Sequence, residues 1–217
     1  LGAAALEAEH GRSGALPIGL INGDTHVGGS RPPMDPRRVL SALRAAAMDA
    51  SDDELVNLVR LPAFPTGCAV AGDRAEFASG QPTALLLRAR ITAIGQRDLV
   101  ISNLPPDVSV STIANSIQRS IDFPNRPPRR ETPHPIAQVN DQSTTALGSR
   151  LVFTIQPNTD LDEATSVLED ICGIHRTITV SLGPPLPELL RGWIQTHGRD
   201  DLEGRLAMIE AAIVTTL

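Results

Sequence analysis

The stretch "NGDTHVGGS" places Asp24 and His26 two residues apart among glycines. A carboxylate beside an imidazole is a general acid–base pair, and glycine-rich backbone tolerates a phosphate close by. Residues at i and i+2 converge only in a tight turn, however, so the stretch also reads as a polar turn whose glycines give the backbone freedom. The other concentrated chemistry is cationic. Arginines bunch at Arg31, Arg37, Arg38 and Arg44, at Arg88 and Arg90, and at Arg126, Arg129 and Arg130. The guanidinium is a planar fork of donors suited to phosphate. Each cluster alone reads as a solvated face or linker; the functional alternative is a set of phosphate contacts.

Signals of other chemistry are thin. No G-x-S-x-G, H-E-x-x-H, Walker loop or dinucleotide fingerprint occurs, and each of these needs a spacing that aims donors or ligands at one point. His10, His134, His175 and His197 fall on different elements and are expected at the surface or in the core. Cys68 and Cys172 lie far apart without a C-x-x-C spacing, so they are expected to be buried free thiols in a reducing, cytoplasmic setting. No metal site or cofactor is expected. The acidic pairs Asp52/Asp53 and Asp200/Asp201 stand at helix starts, where they complement the dipole. Trp193, with Leu190 and Ile194, reads as the core face of a helix. Four phenylalanines and one tryptophan leave little for stacking bases, which argues against single-strand binding.

The 217 residues suffice for a sizeable core and carry a net charge of −6, with neither lysine nor tyrosine. That balance argues against a generally basic nucleic-acid binder, but the charge is uneven: from Leu151 onward ten acids face four arginines. No apolar run approaches the ~20 residues of a membrane span, and the start lacks the plan of a signal peptide.

Local patterns predict an α+β chain. "LGAAALEAEH" reads as the tail of a helix and "GALPIGLING" as a short extended segment. Asp35 is a candidate N-cap with Pro36 at the first helical position, and Val39, Leu40, Leu43 and Ala47 share one face of the helix that follows. Ser51 and Glu54 have the spacing of a capping box for a second helix, with Leu55, Leu58 and Val59 as its stripe. "CAVAG", "TALLLRARITAI" and "DLVISNL" read as strands, separated by "GDRAEFASGQP" and by a turn from Gly95 to Asp98. Ser109 caps an expected helix from Val110 to Ser120, and a loop rich in proline and arginine, "DFPNRPPRRETPHP", ends it. Strands are expected at Ile136 to Asn140, Arg150 to Gln156 and "IHRTITVSL", and a helix at Leu161 to Ile171 with Asp160 and Glu163 as a capping box. "PELLRGWIQTH" and "DDLEGRLAMIEAAIV" supply closing helices.

Taken in order, several stretches resemble a diverged breakage–reunion subunit of the bacterial type IIA topoisomerases, the A subunit of DNA gyrase or its topoisomerase IV counterpart. "PAFPTGC", Pro62 to Cys68, stands where that family has P-x-F-P-T-G-G leading into the tower subdomain. "LINGDTHVGG" is similar to L-V-N-G-S-S-G-I-A-V-G, with Asn22 and Gly23 matching, and "PPMD" to the P-P-H-N before a helix. "EFASGQPTALLLRARI" resembles A-Y-x-T-G-R-G-x-I-x-V-R-A-R, with Phe77 for the aromatic and Arg88 and Arg90 kept. "VISNLPPDVSVSTIANSI" looks like V-T-E-I-P-Y-Q-V-N-K-x-x-L-I-x-x-I. "IAQVNDQSTTALGSRLVFTI" looks like I-S-D-L-R-D-E-S-D-x-x-G-x-R-I-V-I-E, with Asp141, Ser143, Gly148 and Arg150 in place. The matches are colinear from about Leu16 to Ile155.

The resemblance implies the end of a winged-helix-like region with connecting helices over residues 1–60, a tower-like α+β subdomain over 61–185 with a mixed or antiparallel sheet, and the start of a long helical arm over 186–217. It also implies duplex DNA as partner, held through backbone contacts and bending beside a cleavage gate, with Asn22, Arg31, Arg37, Arg38, Arg88 and Arg90 as contacts. The family is an ATP-dependent type II DNA topoisomerase. Its nucleophilic tyrosine is expected upstream of this segment, and the chain itself offers no tyrosine. Arg31 stands where the family has a wedging isoleucine, Val110 where it has a lysine, Pro106 where it has a tyrosine, and Gln142 where it has a glutamate. Those exchanges and the acidic balance leave an alternative: a protein-interaction module of tower-like fold, associating with itself or with a topoisomerase B-type subunit. In either case "PAFPTG" is expected to act as a stiff hinge, with prolines fixing the backbone and Phe64 plugging the joint.

Overall fold

The computed structural model describes residues 32–122, 134–144 and 148–197, together with Gly204, Leu206, Ala207 and Ala211. Asp35 caps the first helix, α1 (Pro36–Ala47), by accepting from the Arg37 N–H at 3.0 Å, and Pro36 occupies the first turn. The buried face of α1 is Val39, Leu40, Ala42, Leu43, Ala45 and Ala46, with Ala47 only half-buried. α2 (Asp52–Val59) follows, its cap Ser51 accepting from the Glu54 N–H at 3.3 Å as the capping-box spacing predicts. Leu55 and Val59 are buried, while Leu58 is half-buried. Both helices pack with α6 (Leu186–His197), which contributes Leu186, Leu190, Trp193 and Ile194 to the core. Each such side chain, fully buried, contributes about 1.5–3 kcal/mol.

The chain divides into two compact units. One is Leu1–Phe64 with Ala71–Leu85 and Ile178–Leu217, and the other is Pro65–Val70 with Leu86–Thr177. One division falls between Phe64 and Pro65, inside the segment expected to act as a hinge. Phe64 is buried, and the neighbouring Ala63 N–H donates to the Pro33 carbonyl at 2.9 Å.

In the second unit β3 (Arg90–Ile94), β4 (Asp98–Ser102), β5 (Ile136–Asp141) and β6 (Arg150–Ile155) form an antiparallel sheet in the order β3-β4-β6-β5. Strand alternation turns Leu99, Ile101, Leu151, Phe153 and Ile155 to one face. They share a core with Ile113 and Ile117 of α4 (Val110–Asp122) and Ala164 and Leu168 of α5 (Leu161–Cys172). A register shift between Ile136 and Gln138 keeps Ile136 in that core while Gln138 points outward. β1 (Ala69–Ala71), β2 (Thr83–Arg88) and β7 (His175–Val180) form a three-stranded sheet, β1-β2-β7. Six helices and two antiparallel sheets among the described residues make the chain α+β, as the patterns predict.

Two local expectations differ from the structure. "TALLLRARITAI" reads as one strand but is two, β2 and β3, in different sheets. The break is at Ala89, whose N–H turns to the Ile174 carbonyl at 3.1 Å and whose small side chain joins the core. "GDRAEFASGQP", which reads as a separator, contains α3 (Arg74–Ala78): Asp73 accepts from the Glu76 N–H at 3.0 Å, and Phe77 is buried. At α5 the cap Asp160 accepts from the Asp162 N–H at 2.9 Å, a two-residue reach shorter than the capping box pairs.

Candidate nucleic-acid interface

The first turn of α1 carries Arg37 and Arg38, and the two are not equivalent. Arg38 Nε lies 3.3 Å from the Asp35 carboxylate, so part of its charge is spent on the helix cap. Arg37 is exposed and has no ion pair among the described residues, while its carbonyl accepts from the Ser41 hydroxyl at 3.0 Å. Arg37 is thus the more available cation of the turn. Asn22 and Arg31, and with them Asp24 and His26, lie outside the described residues, as do Arg126, Arg129 and Arg130.

Arg88 and Arg90 flank the corner at Ala89. Arg88 ends β2, where outward positions alternate with buried Leu85 and Leu87, and it is exposed. Arg90 opens β3 and is also exposed. The two belong to one unit but to different sheets, so the R-x-R spacing does not lay them side by side on one strand face. Arg37 and Arg38 belong to the other unit.

The register of the four-stranded sheet supplies a neighbour that the linear sequence did not offer as a contact. Arg90 faces Ser102 across β3 and β4, and Ser102 faces Arg150 across β4 and β6. By alternation all three lie on the face opposite the apolar core. Arg150 Nε donates to the Gln142 side-chain oxygen at 3.2 Å, and the Gln142 N–H donates to the Arg150 carbonyl at 2.9 Å. Neither Arg90 nor Arg150 has an ion pair among the described residues. Strand pairing between distant segments cannot be read from one sequence, and only the phase of Arg150 against buried Leu151 hinted at its face.

The remaining histidines and cysteines stand apart in the sequence. His134 is buried and its Nδ1 accepts from the Ile136 N–H at 3.1 Å, tying down the start of β5. His175 Nε2 stands 3.7 Å from Glu169, an ion pair only when the imidazole is protonated. Burial pushes the Cys68 thiol up from its ordinary value, partly offset by a hydrogen bond with the Thr66 side chain. The Cys172 side chain lies outside the described ones, as do those of His10 and His197. No group of histidine, cysteine and carboxylate side chains suited to a metal ion occurs among the described residues. Nor is any described helix long and apolar enough to cross a membrane.

Comparison with protein-family models finds no match, and comparison with curated proteins finds no relative.

Proposed function

We propose that this chain is a DNA-associated module of the type IIA topoisomerase A-subunit kind, contacting duplex DNA beside a cleavage gate and supplying no nucleophile of its own. The observation that carries this reading is the colinear run of resembling motifs from Leu16 to Ile155, with Arg88, Arg90 and Arg150 at matching positions. The exposure of Arg37, Arg88 and Arg90 accords with it.

Such a module works by neutralising phosphates. Arg31, Arg37 and Arg38, with Asn22, form the principal contacts, and Arg88 and Arg90 the secondary ones. Each neutralised phosphate releases counterions, so affinity falls with salt and carries little sequence preference. Without a tyrosine the chain forms no phosphotyrosyl bond, and with Arg31 in the wedge position it holds the duplex by charge instead of intercalation. A cytoplasmic setting suits that work.

The test is the affinity for a labelled duplex as a function of salt. The expected result is a linear fall of log K with log salt, with a slope that shrinks when Arg37 and Arg38 are replaced by alanine. Equal low-salt binding by wild type and by a variant lacking all the named arginines would sink the reading. The net charge of −6 favours a second reading, a tower-like protein-interaction module that pairs with itself or with a topoisomerase B-type subunit. Native mass measurement and pull-down with such a subunit decide that one: monomer alone, with no partner retained, excludes it.

A further inference from the structure

We infer that the outer face of the sheet β3-β4-β6-β5 is itself a duplex-binding surface, on which Arg90 and Arg150 grip the phosphodiester backbone together. The inference rests on the DNA-associated reading above and adds a surface and a residue to it. Arg90, Ser102 and Arg150 are consecutive in register across three strands. Neighbouring strands lie ~4.8 Å apart, so the two arginine backbones stand roughly 10 Å apart with a hydroxyl between them. Long guanidinium side chains at that separation can reach successive phosphates of one nucleic-acid strand, and the exposed Asn140 and Gln142 add neutral hydrogen-bonding groups beside Arg150.

Charge selects the occupant. Among the described residues of the four strands, Asp98 is the carboxylate on this face, and it sits four residues along β4 from Ser102, or about 13 Å at ~3.3 Å per residue. It accepts from the Thr154 hydroxyl at 2.9 Å. Asp141, next to Gln142 in sequence, alternates to the other face and accepts from the Ser143 N–H at 2.8 Å. The Arg90–Arg150 end is therefore cationic, polar and set on rigid strands, complementary to a polyanion.

The test uses the full chain and a short fluorescein-labelled duplex, with affinity followed across a salt series. Arg90→Ala and Arg150→Ala are each expected to reduce the slope of log K against log salt by about one, the signature of one lost phosphate contact. Arg150→Lys keeps the charge and is expected to keep the slope, although it loses the bond to Gln142. Arg119→Ala, exposed on α4 away from this face, is expected to change nothing. Should Arg150→Ala fail to fold, Asn140→Glu brings a carboxylate to the same end without touching the core, and it is expected to weaken binding at least tenfold. An unchanged slope in Arg150→Ala, or unchanged affinity in Asn140→Glu, overturns the proposal; if Arg37→Ala still lowers the slope, the broader reading survives. A wild-type chain that ignores the duplex overturns both, as does binding to anionic vesicles alone.

Discussion

The Arg191 guanidinium lies 2.6 Å from the Asp52 carboxylate and donates through its other terminal nitrogen to the Ala50 carbonyl at 3.0 Å. One side chain on α6 thus holds both the turn before α2 and the first turn of α2. Asp52 is well exposed, so the ion pair contributes less than about 1 kcal/mol. The bond to a backbone carbonyl adds a contribution of order 1 kcal/mol. Arg191→Ala is expected to lower the unfolding free energy by about 1–2 kcal/mol, and Arg191→Lys to recover only part, because an ammonium cannot reproduce the two-armed geometry. Urea melts of the three proteins check this. High salt should remove only the ion-pair share.

Arg60 ends α2 with φ 64° and ψ −158°, a conformation that is comfortable only for glycine. Holding it costs about 1–3 kcal/mol, and the exposed side chain returns no ion pair among the described residues. Arg60→Gly is therefore expected to raise the midpoint of thermal unfolding, with glycine's extra chain entropy offsetting about 0.5–1 kcal/mol of the gain. Arg60→Ala keeps the strain and should leave the midpoint where it is. A lowered midpoint for the glycine variant would show that the strain is absent.

Gly80 and Gly67 both have positive φ, 82° and 71°, yet alanine should affect them differently. A Cβ on Gly80 would sit about 2.5 Å from backbone atoms of Gly183 and Pro184, which cannot swing away. A Cβ on Gly67 would meet the amide of Asn103, a side chain free to turn at the loss of its bond to the Gly67 carbonyl. Both variants bear ~1–2 kcal/mol for left-handed backbone. Gly80→Ala should add the collision and lose clearly more stability than Gly67→Ala in chemical denaturation.

The helix starts were the most legible part of the fold, because a cap is a local bargain between one side chain and nearby N–H groups. Asp35 and Ser51 behave as their spacing predicts. The same logic applied to Asp73 and Glu76 reveals α3, which glycines on either side concealed. Long-range pairing was not legible. Nothing in "LLLRARI" says that Ala89 leaves one sheet for another, since the decisive partner, Ile174, comes 85 residues later. For the same reason the arginine pair visible in sequence, Arg88 with Arg90, is parted by the fold, while Arg90 gains Arg150 through register.

Hydrogen bonds from the Ser143 hydroxyl and N–H hold the Asp141 carboxyl below its ordinary value. A carboxylate favoured in the folded chain contributes stability above the pKa it has when unfolded, near 3.9, and loses that contribution as pH falls through the lower folded value. The carboxylate is solvent-exposed, so the effect belongs in a titration, not a melt. Carbon-detected NMR should place the Asp141 midpoint below that of a free aspartate, and Ser143→Ala should move it back up.

Cys68 yields a prediction of opposite sign. Burial is the larger influence on its thiol and raises the pKa, so the folded chain favours the neutral form. Such a group contributes stability that is fully present below the unfolded pKa, near 8.5, and is lost as pH rises through the folded value. Because the thiolate is the nucleophile, the folded protein should also react with a disulfide reagent more slowly than the unfolded chain at neutral pH. Both measurements are made with Cys172 replaced by serine, so that a single thiol reports. Cys68→Ala in that background should remove the alkaline loss of stability. Rapid labelling of Cys68 in the native protein at neutral pH would contradict its burial against the surrounding chain.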